Sequence, residues 1–240
     1  MKRIYISHGD KGGVGKSIVA AVLTEFLLQD DTPVSLVEGD PSQPDVGIRY
    51  MDDPAVRLGA LPLNRAGDAE TAMADLSYWL EQEAGGRVVI NLPAGASETL
   101  DHLAEPLRMV ADALGYTLYC TYSLGKGDTP AAGLAKSLNS GVLRYIDPAH
   151  RLALFPAFQG KQESFAWYSH KARKTADLQE SVMPALSPRA VFDKMLHARG
   201  RIRTLAQDGG EGILVYDKIA MHRWLQQSFA ALAPILKSEG

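Results

Sequence analysis

The sequence predicts an α/β protein whose core is a doubly wound, mostly parallel sheet with helices on both faces. Short apolar runs rich in β-branched residues alternate along the chain with longer stretches of helical spacing. The runs are apolar at nearly every position, as is typical of parallel strands that are covered on both sides. A glycine-rich segment lies between the first run and the first helical stretch, which is the order of a phosphate-binding unit.

Strand-like and helix-like stretches follow one another along the whole chain. The runs with the length and composition of strands are residues 4–6, 34–37, 88–92, 118–122, 152–155 and 182–186. The stretches with apolar residues at helical spacing are 17–29, 69–83, 97–113, 130–142, 171–181, 189–206 and 217–236. Because there is no internal repeat and no low-complexity linker, we expect one domain over residues 1–240.

Composition narrows the classes of function. The 240 residues are 46% apolar, which suffices for one sizeable core, and a net charge of −3 excludes nucleic-acid binding by overall charge alone. The single cysteine, Cys120, excludes a disulfide framework or a CxxC metal site within one chain, and the six histidines lack metal-ligand spacing. No apolar run reaches about 18 residues and no signal peptide precedes the first strand, so we expect a cytoplasmic protein.

The glycine-rich segment, GDKGGVGKS at residues 9–17, has the chemistry of a phosphate-binding loop. Its glycines would let backbone N–H groups face an anion, and the following helix would add its positive N-terminal end. Lys16 would reach the β- and γ-phosphates, and the Ser17 hydroxyl would bind Mg²⁺. The general pattern requires glycine at position 10, where this chain has Asp10, but residues 11–17 fit the narrower pattern K-G-G-x-G-K-[ST].

On these residues the loop resembles the deviant Walker A motif of the ParA/MinD family of ATPases. The resemblance implies a P-loop NTPase of the deviant Walker A type with ATP and Mg²⁺ as cofactors. In that family the first lysine, here Lys11, reaches the phosphates of the partner subunit in a nucleotide-sandwich dimer. The nucleotide contacts implied for the loop are Lys11, Gly12, Gly13, Val14, Gly15, Lys16, Ser17 and Ile18.

The segment VEGDP at residues 37–41 resembles the family's first switch, D-x-D-P. By this resemblance Asp40 would orient the attacking water, and Glu38 would lie near the water shell of the metal. The residues implied to act in catalysis are then Lys11, Lys16 and Asp40. The alternative is that residues 40–44 form an ordinary solvated turn.

Residues 88–95, VVINLPAG, resemble the family's Walker B strand and second switch, D-x-P-x-G. Pro93, Ala94 and Gly95 would place a backbone N–H against the γ-phosphate. The chain departs from the pattern at Asn91, whose amide can bond a metal-bound water but carries no charge to balance the ion. The residues implied to bind the metal are Ser17, Glu38, Asp40 and Asn91, and we expect slow ATP turnover because of Asn91. The alternative to a second switch is a plain turn at the end of the strand.

Charge is unevenly distributed, since residues 161–203 carry nine Lys and Arg against four Asp and Glu. Members similar to ParA bind duplex DNA without sequence preference through a basic face, and this segment is our candidate for such a face. The alternative is a set of solvated helix faces. The candidate DNA contacts are Lys171, Arg173, Lys174, Arg189, Arg199, Arg201 and Arg203.

The last helical stretch, residues 217–236, has an apolar stripe at Ile219, Trp224, Leu225 and further positions. MinD-like members end in a membrane-binding helix, but the polar face here offers Gln226, Gln227 and Ser228 rather than lysines. We therefore expect packing in the core or at a dimer interface.

The resemblance as a whole implies an ATP-dependent, dimerising switch that hydrolyses ATP slowly and positions DNA in plasmid partition, stability or mobilisation. An adaptor protein of unknown identity would stimulate it, and DNA binding would associate it with the nucleoid. The alternatives are a membrane-associated positioning ATPase like MinD, or a nucleotide-stabilised scaffold that hydrolyses little because of Asn91. Iron–sulfur relatives with the same loop need paired cysteines, and Cys120 stands alone.

Overall fold

A sheet of parallel strands runs through the protein in the computed structural model, which describes residues 2–9, 11–39, 44–61, 69–83, 85–93, 95 and 97–236. In this part of the chain the sheet has seven strands in the order β3-β2-β4-β1-β5-β6-β7. The strands are β1 (Lys2–His8), β2 (Val34–Glu38), β3 (Val56–Ala60), β4 (Arg87–Asn91), β5 (Tyr116–Ser123), β6 (Arg151–Pro156) and β7 (Gln179–Met183). Each neighbouring pair is parallel.

Helices connect the strands and cover both faces of the sheet. They are α1 (Lys16–Leu27), α2 (Asp45–Tyr50), α3 (Ala69–Glu81), α4 (Ser97–His102), α5 (Ala104–Leu114), α6 (Asp128–Ser140), α7 (Ala166–Ser169), α8 (Arg189–His197), α9 (Ile202–Gln207) and α10 (Val215–Leu236). One core lies between the sheet and α3, α5 and α6, and the other lies between the sheet and α1, α8, α9 and α10. The predicted doubly wound parallel α/β fold is therefore confirmed.

The five central strands coincide with predicted strands, whereas the two edge strands do not. β3 was missed, and β7 lies three residues before the predicted run 182–186. Both edge strands expose residues, such as Arg57 and Leu58 in β3, so neither has the continuous apolar run of a strand that is covered on both faces. The predicted helix 171–181 is wrong, because it contains only a 3-10 turn at Lys171–Lys174 before β7 begins.

Two long predicted helices are interrupted. The stretch 97–113 forms α4 and α5, with a break at Leu103. The stretch 189–206 forms α8 and α9, because Ala198 and Arg201 are extended and Gly200 has a φ of 80°. The Gly200 N–H donates to the carbonyl of Arg49 at 2.7 Å, so the break packs against the end of α2.

Candidate functional site

The glycine-rich loop joins the carboxyl end of β1 to the start of α1. Gly13 has a φ of 73° and Gly15 a φ of 96°, a left-handed backbone that residues with a Cβ rarely adopt. Gly15 is the N-cap of α1, and the first helical bond runs from the Val19 N–H to the Gly15 carbonyl at 3.0 Å. The N–H groups of Lys16, Ser17 and Ile18 therefore lie at the positive end of the helix, where anions bind.

Lys16 and Ser7 fasten this loop. The Lys16 side chain is 6% exposed, and its ammonium donates to the carbonyl of Lys11 at 2.8 Å, across the loop. The Ser7 hydroxyl, one residue before the end of β1, donates to the carbonyl of Lys16 at 2.8 Å. Lys11 itself is exposed at the outer edge of the loop, and Val14 is buried beneath it. The arrangement places one ammonium inside the loop and another outside it.

Polar side chains form a row beside the loop, at the carboxyl ends of three adjacent strands. Glu38 of β2 lies next to Asn91 of β4, and Asn91 lies next to Ser7 of β1. All three are buried in the sheet face that α1 covers. Carboxyl ends of parallel strands are where ligands bind in such folds.

Glu38 accepts three hydrogen bonds from the protein. One carboxylate oxygen, Oε1, accepts from the N–H groups of Val46 and Gly47 at 2.8 and 2.6 Å and so caps α2. The other, Oε2, accepts from the Asn91 amide nitrogen at 2.8 Å. Burial raises the pKa of Glu38, and the hydrogen bonds from Asn91 and the backbone oppose that rise. The sequence analysis placed Glu38 near the water shell of the metal. In the structure, both of its carboxylate oxygens already accept hydrogen bonds from the protein.

Asn91 has one polar atom to spare. Its amide nitrogen bonds Glu38, while its Oδ1 is buried and has no hydrogen-bond partner within the described part of the chain. Asn91 and Ser17 both line the cavity described below, and an amide oxygen and a hydroxyl are groups that suit hydrated Mg²⁺. No cluster of three or more His, Cys, Asp or Glu side chains was found among the described residues.

A cavity of about 710 Å³ opens beside the loop. One half is bounded by residues 12–19 and by Asn91, Leu92 and Pro93. The apolar half of the lining includes Leu154, Pro156, Phe158, Leu186, Phe192 and Trp224; Arg189 also lines the cavity, and the Phe158 ring lies close to Gly15 of the loop. The volume is within the usual range for small-molecule sites, and the two halves suit a ligand with an anionic end and a flat apolar end.

The sequence analysis did not assign the apolar half. Phe158 is 58% exposed, and Trp224 belongs to the predicted apolar stripe of residues 217–236. The Trp224 indole N–H donates to the Pro184 carbonyl at 3.0 Å, which fixes the ring in the wall. One available signal was position, because Phe158 follows the carboxyl end of β6.

The remaining predicted switch residues divide into two groups. Pro93 is buried in the cavity wall, and Gly95 is exposed with a φ of 80°. Asp40 and Ala94 lie outside the described residues, as does Asp10 of the loop.

His8 ends β1 directly before the loop, and its ring is buried against Tyr122 with centroids 4.8 Å apart. Neither ring nitrogen has a hydrogen-bond partner in the part of the chain that the structure covers. Burial, with a smaller contribution from the Lys16 charge, lowers the pKa of His8 to about 3. The ring is therefore neutral and carries no charge toward a phosphate at neutral pH.

The seven candidate DNA contacts lie in segments that pack against different cores of the protein. The turn 171–174 packs through Ala172 on the core that includes α3, α5 and α6, whereas Ala198 and Ile202 pack on the opposite core. Arg173 pairs with Glu180, Arg189 with Asp193, and Arg201 with Asp31 and Asp53. The cations left most exposed are Lys171, Lys174, Arg189 and Arg199.

The stripe of α10 is buried against the sheet, as expected, except for Ile219, which is 52% exposed. None of the described helices is both long and apolar enough to cross a membrane.

Comparison with solved structures places this architecture in a known class of fold. The structure is similar to the septum site-determining protein MinD of Pyrococcus horikoshii, solved with Mg-ADP, with a TM-score of 0.53 and 14% identity over 92% of this chain and 95% of that chain. A nucleotide-binding protein of Archaeoglobus fulgidus, solved with ADP, gives a TM-score of 0.43 at 13% identity over 80% and 84% of the two chains. The likeness to MinD shows that this chain has the same α/β fold as that protein.

A curated relative in sequence is Protein MobD of Acidithiobacillus ferrooxidans, which is 40% identical over 57 residues. These residues are 24% of this chain and 25% of MobD, so the chain matches about a quarter of that relative's length. No family model matches the sequence.

Proposed function

We propose that this protein is an ATPase of the ParA/MinD type that binds ATP with Mg²⁺ in the cavity beside residues 11–17. The observation that carries the proposal is the loop itself, with left-handed glycines at 13 and 15 and the buried Lys16 at the start of α1. Backbone N–H groups, the helix end and an ammonium lie together at this loop, which is the chemistry that binds phosphate. The Mg-ADP complex of the MinD structure supports the same ligand class.

The rest of the nucleotide fits the apolar half of the cavity. Phe158 and Phe192 offer flat surfaces for a base, and stacking on such rings stabilises nucleobases. Mg²⁺, when bound, would neutralise charge on the phosphates. Ser17 and Asn91 would hold it through a hydroxyl and through a metal-bound water. Asp40 is proposed to orient the attacking water, on the resemblance alone.

The proposed switch is a dimer that ATP closes. Lys11 is exposed at the outer edge of the loop, where a second subunit could face it. In the proposed cycle, Lys11 contacts the partner's phosphates while ATP is bound, and hydrolysis releases the dimer. DNA is the proposed surface on which this cycle acts, through exposed cations such as Lys174, Arg189 and Arg199, and an adaptor protein would stimulate hydrolysis.

Among plasmid partition, stability and mobilisation, the partial match to Protein MobD favours mobilisation. One observation favours a second candidate function. The neutral amide at Asn91 supplies no charge to the cation, so a nucleotide-stabilised scaffold with little hydrolysis is the alternative. Phosphate release measured with and without DNA separates the two candidates, since only the ATPase would be stimulated.

Nucleotide binding is tested by titrating ATP and Mg²⁺ into the wild-type protein and Lys16→Ala. We expect binding to be about ten- to a hundredfold weaker in the variant, because it loses a charged hydrogen bond to phosphate. Lys136→Ala, which removes an exposed lysine of α6, is the matched control and should bind like the wild type. Equal affinity in Lys16→Ala and the wild type would contradict the proposal.

The dimer is tested by sedimentation of the wild type and Lys11→Ala with ATP, ADP and no nucleotide. We expect the wild type to dimerise with ATP alone, and Lys11→Ala to bind ATP while remaining a monomer. An ATP-bound dimer of Lys11→Ala would refute the role of Lys11.

A further inference from the structure

The contact between Glu38 and Asn91 decides which atom of Asn91 faces the cavity. Glu38 is 3% exposed, and its Oε1 is occupied by the two N–H groups at the start of α2. Only Oε2 remains for Asn91, and a carboxylate oxygen accepts but does not donate. Asn91 must therefore turn its NH₂ group toward Glu38, as the distance of 2.8 Å records.

That orientation leaves the amide oxygen of Asn91 directed away from Glu38. The oxygen is buried and lacks a partner among the described residues, while Asn91 lines the cavity wall. A buried acceptor without a partner destabilises the protein, because it has given up its hydrogen bonds to water. A ligand that donates a hydrogen bond at this place would recover that free energy, and water bound to a cation is a strong donor.

The charges of the pair fit the same arrangement. An aspartate at position 91 would bring two carboxylates within about 3 Å in a buried place, where only one can ionise readily. With an amide at 91, Glu38 can hold the negative charge and still cap α2. The negative charge of the Glu38–Asn91 pair thus lies on Glu38. Asn91 lines the cavity, whereas Glu38 is not among the residues that line it.

We propose that Glu38 is a positioning residue: it holds the Asn91 amide so that Oδ1 faces the cavity and accepts a hydrogen bond from water on a nucleotide-bound divalent cation. The inference rests on the proposed nucleotide site. It differs from the sequence-based assignment because Glu38 itself does not face the cation.

The substitution Glu38→Gln tests this orientation. Glutamine offers one oxygen, which the two N–H groups of α2 require, so its NH₂ group would face Asn91. Asn91 would then turn its oxygen to the introduced glutamine and its NH₂ group to the cavity, where it repels a cation. In the double variant Glu38→Gln/Asn91→Asp, the aspartate accepts from the glutamine and presents an oxygen to the cavity again.

The measurement is the dissociation constant of a fluorescent ADP analogue with and without Mg²⁺ in each protein. For each protein we take the ratio of the dissociation constant without Mg²⁺ to that with Mg²⁺, and we compare this ratio between proteins. A change in affinity for the nucleotide alone cancels in the ratio. We expect Mg²⁺ to tighten binding at least about tenfold in the wild type, about twofold or less in Glu38→Gln, and at least about tenfold in the double variant. Glu105→Gln, an exposed residue of α5, is the control and should keep the wild-type ratio.

A second readout needs no nucleotide. In the free protein the side-chain NH₂ resonances of Asn91, assigned by NMR as those missing from Asn91→Ala, should shift in Glu38→Gln, because the bond to the carboxylate is lost. A wild-type ratio in Glu38→Gln, or a double variant that stays insensitive to Mg²⁺, would overturn the inference while leaving nucleotide binding intact. No binding of the analogue to the wild type would overturn the proposed function and this inference together.

Discussion

Two buried glutamates on the same side of the sheet make nearly the same hydrogen bonds but contribute differently to the protein. Glu25, in α1, accepts from the backbone N–H groups of Ile202 and Arg203 at the start of α9 and from the hydroxyl of Tyr50. Glu38, at the end of β2, likewise accepts from two backbone N–H groups at a helix start and from one side chain. Each carboxylate therefore caps a short helix that is not its own.

The difference lies in the third donor. Tyr50 is fully buried, and its hydroxyl donates to the Glu25 carboxylate in the core. Asn91 has a second polar atom in the wall of a cavity, without a partner in the described chain. The same local chemistry thus stabilises the fold at Glu25 and orients a ligand-facing atom at Glu38.

The strongest test of this contrast is Glu25→Ala. The change removes the acceptor of two backbone N–H groups and of a buried phenol, so we expect a loss of about 4 kcal/mol in the free energy of unfolding. Urea denaturation measures it, and Glu163→Ala, at an exposed position, should stay within about 0.5 kcal/mol of the wild type. A loss below about 1 kcal/mol in the free energy of unfolding of Glu25→Ala would contradict the stabilising role of Glu25.

A smaller effect is expected for Asn91→Asp. It places a second carboxylate beside Glu38 and should cost about 2 kcal/mol of stability at neutral pH. Adding Glu38→Gln should restore most of that loss, because one amide then donates to one carboxylate. Additive losses in the double variant would show that the two side chains do not interact, and a double-mutant cycle in urea makes the distinction.

The smallest expected effect is on the pH dependence of the free energy of unfolding. Burial raises the pKa of Glu25 above its usual 4.5, against hydrogen bonds from Ile202 and Tyr50. The folded protein then holds that proton more tightly than the unfolded chain. Its contribution to the free energy of unfolding is fully present below the pKa that Glu25 has in the unfolded chain. This contribution is lost as the pH rises through the raised pKa of the folded protein. Glu25→Gln should remove this component, so the stability difference between wild type and variant should fall as the pH rises above 4.5. A difference that is independent of pH would contradict the assignment.

The strand, the turn and the helix around the glycine-rich loop were largely predictable because their determinants are local. Glycines, lysines and a strand–helix junction lie within residues 9–17, and the structure places the described ones as the spacing predicts. The central strands were predictable for a related reason, since burial on both faces leaves an unbroken apolar run.

The contacts that the sequence could not supply join distant segments. Glu38 and Asn91 are neighbours only because β2 and β4 pair in one register, which no local pattern encodes. The apolar half of the cavity combines Phe158, after β6, with Trp224 of α10. The basic cluster shows the opposite case, since residues close in sequence are divided between the two faces of the sheet.

A structure of the protein crystallised with ATP and Mg²⁺ tests the central claim most directly. We predict that the phosphates lie on the N–H groups of residues 12–17, that the base lies against Phe158 and Phe192, and that a water on the cation donates to Oδ1 of Asn91. Phosphates bound elsewhere, or an Asn91 NH₂ group that faces the cation, would contradict this account.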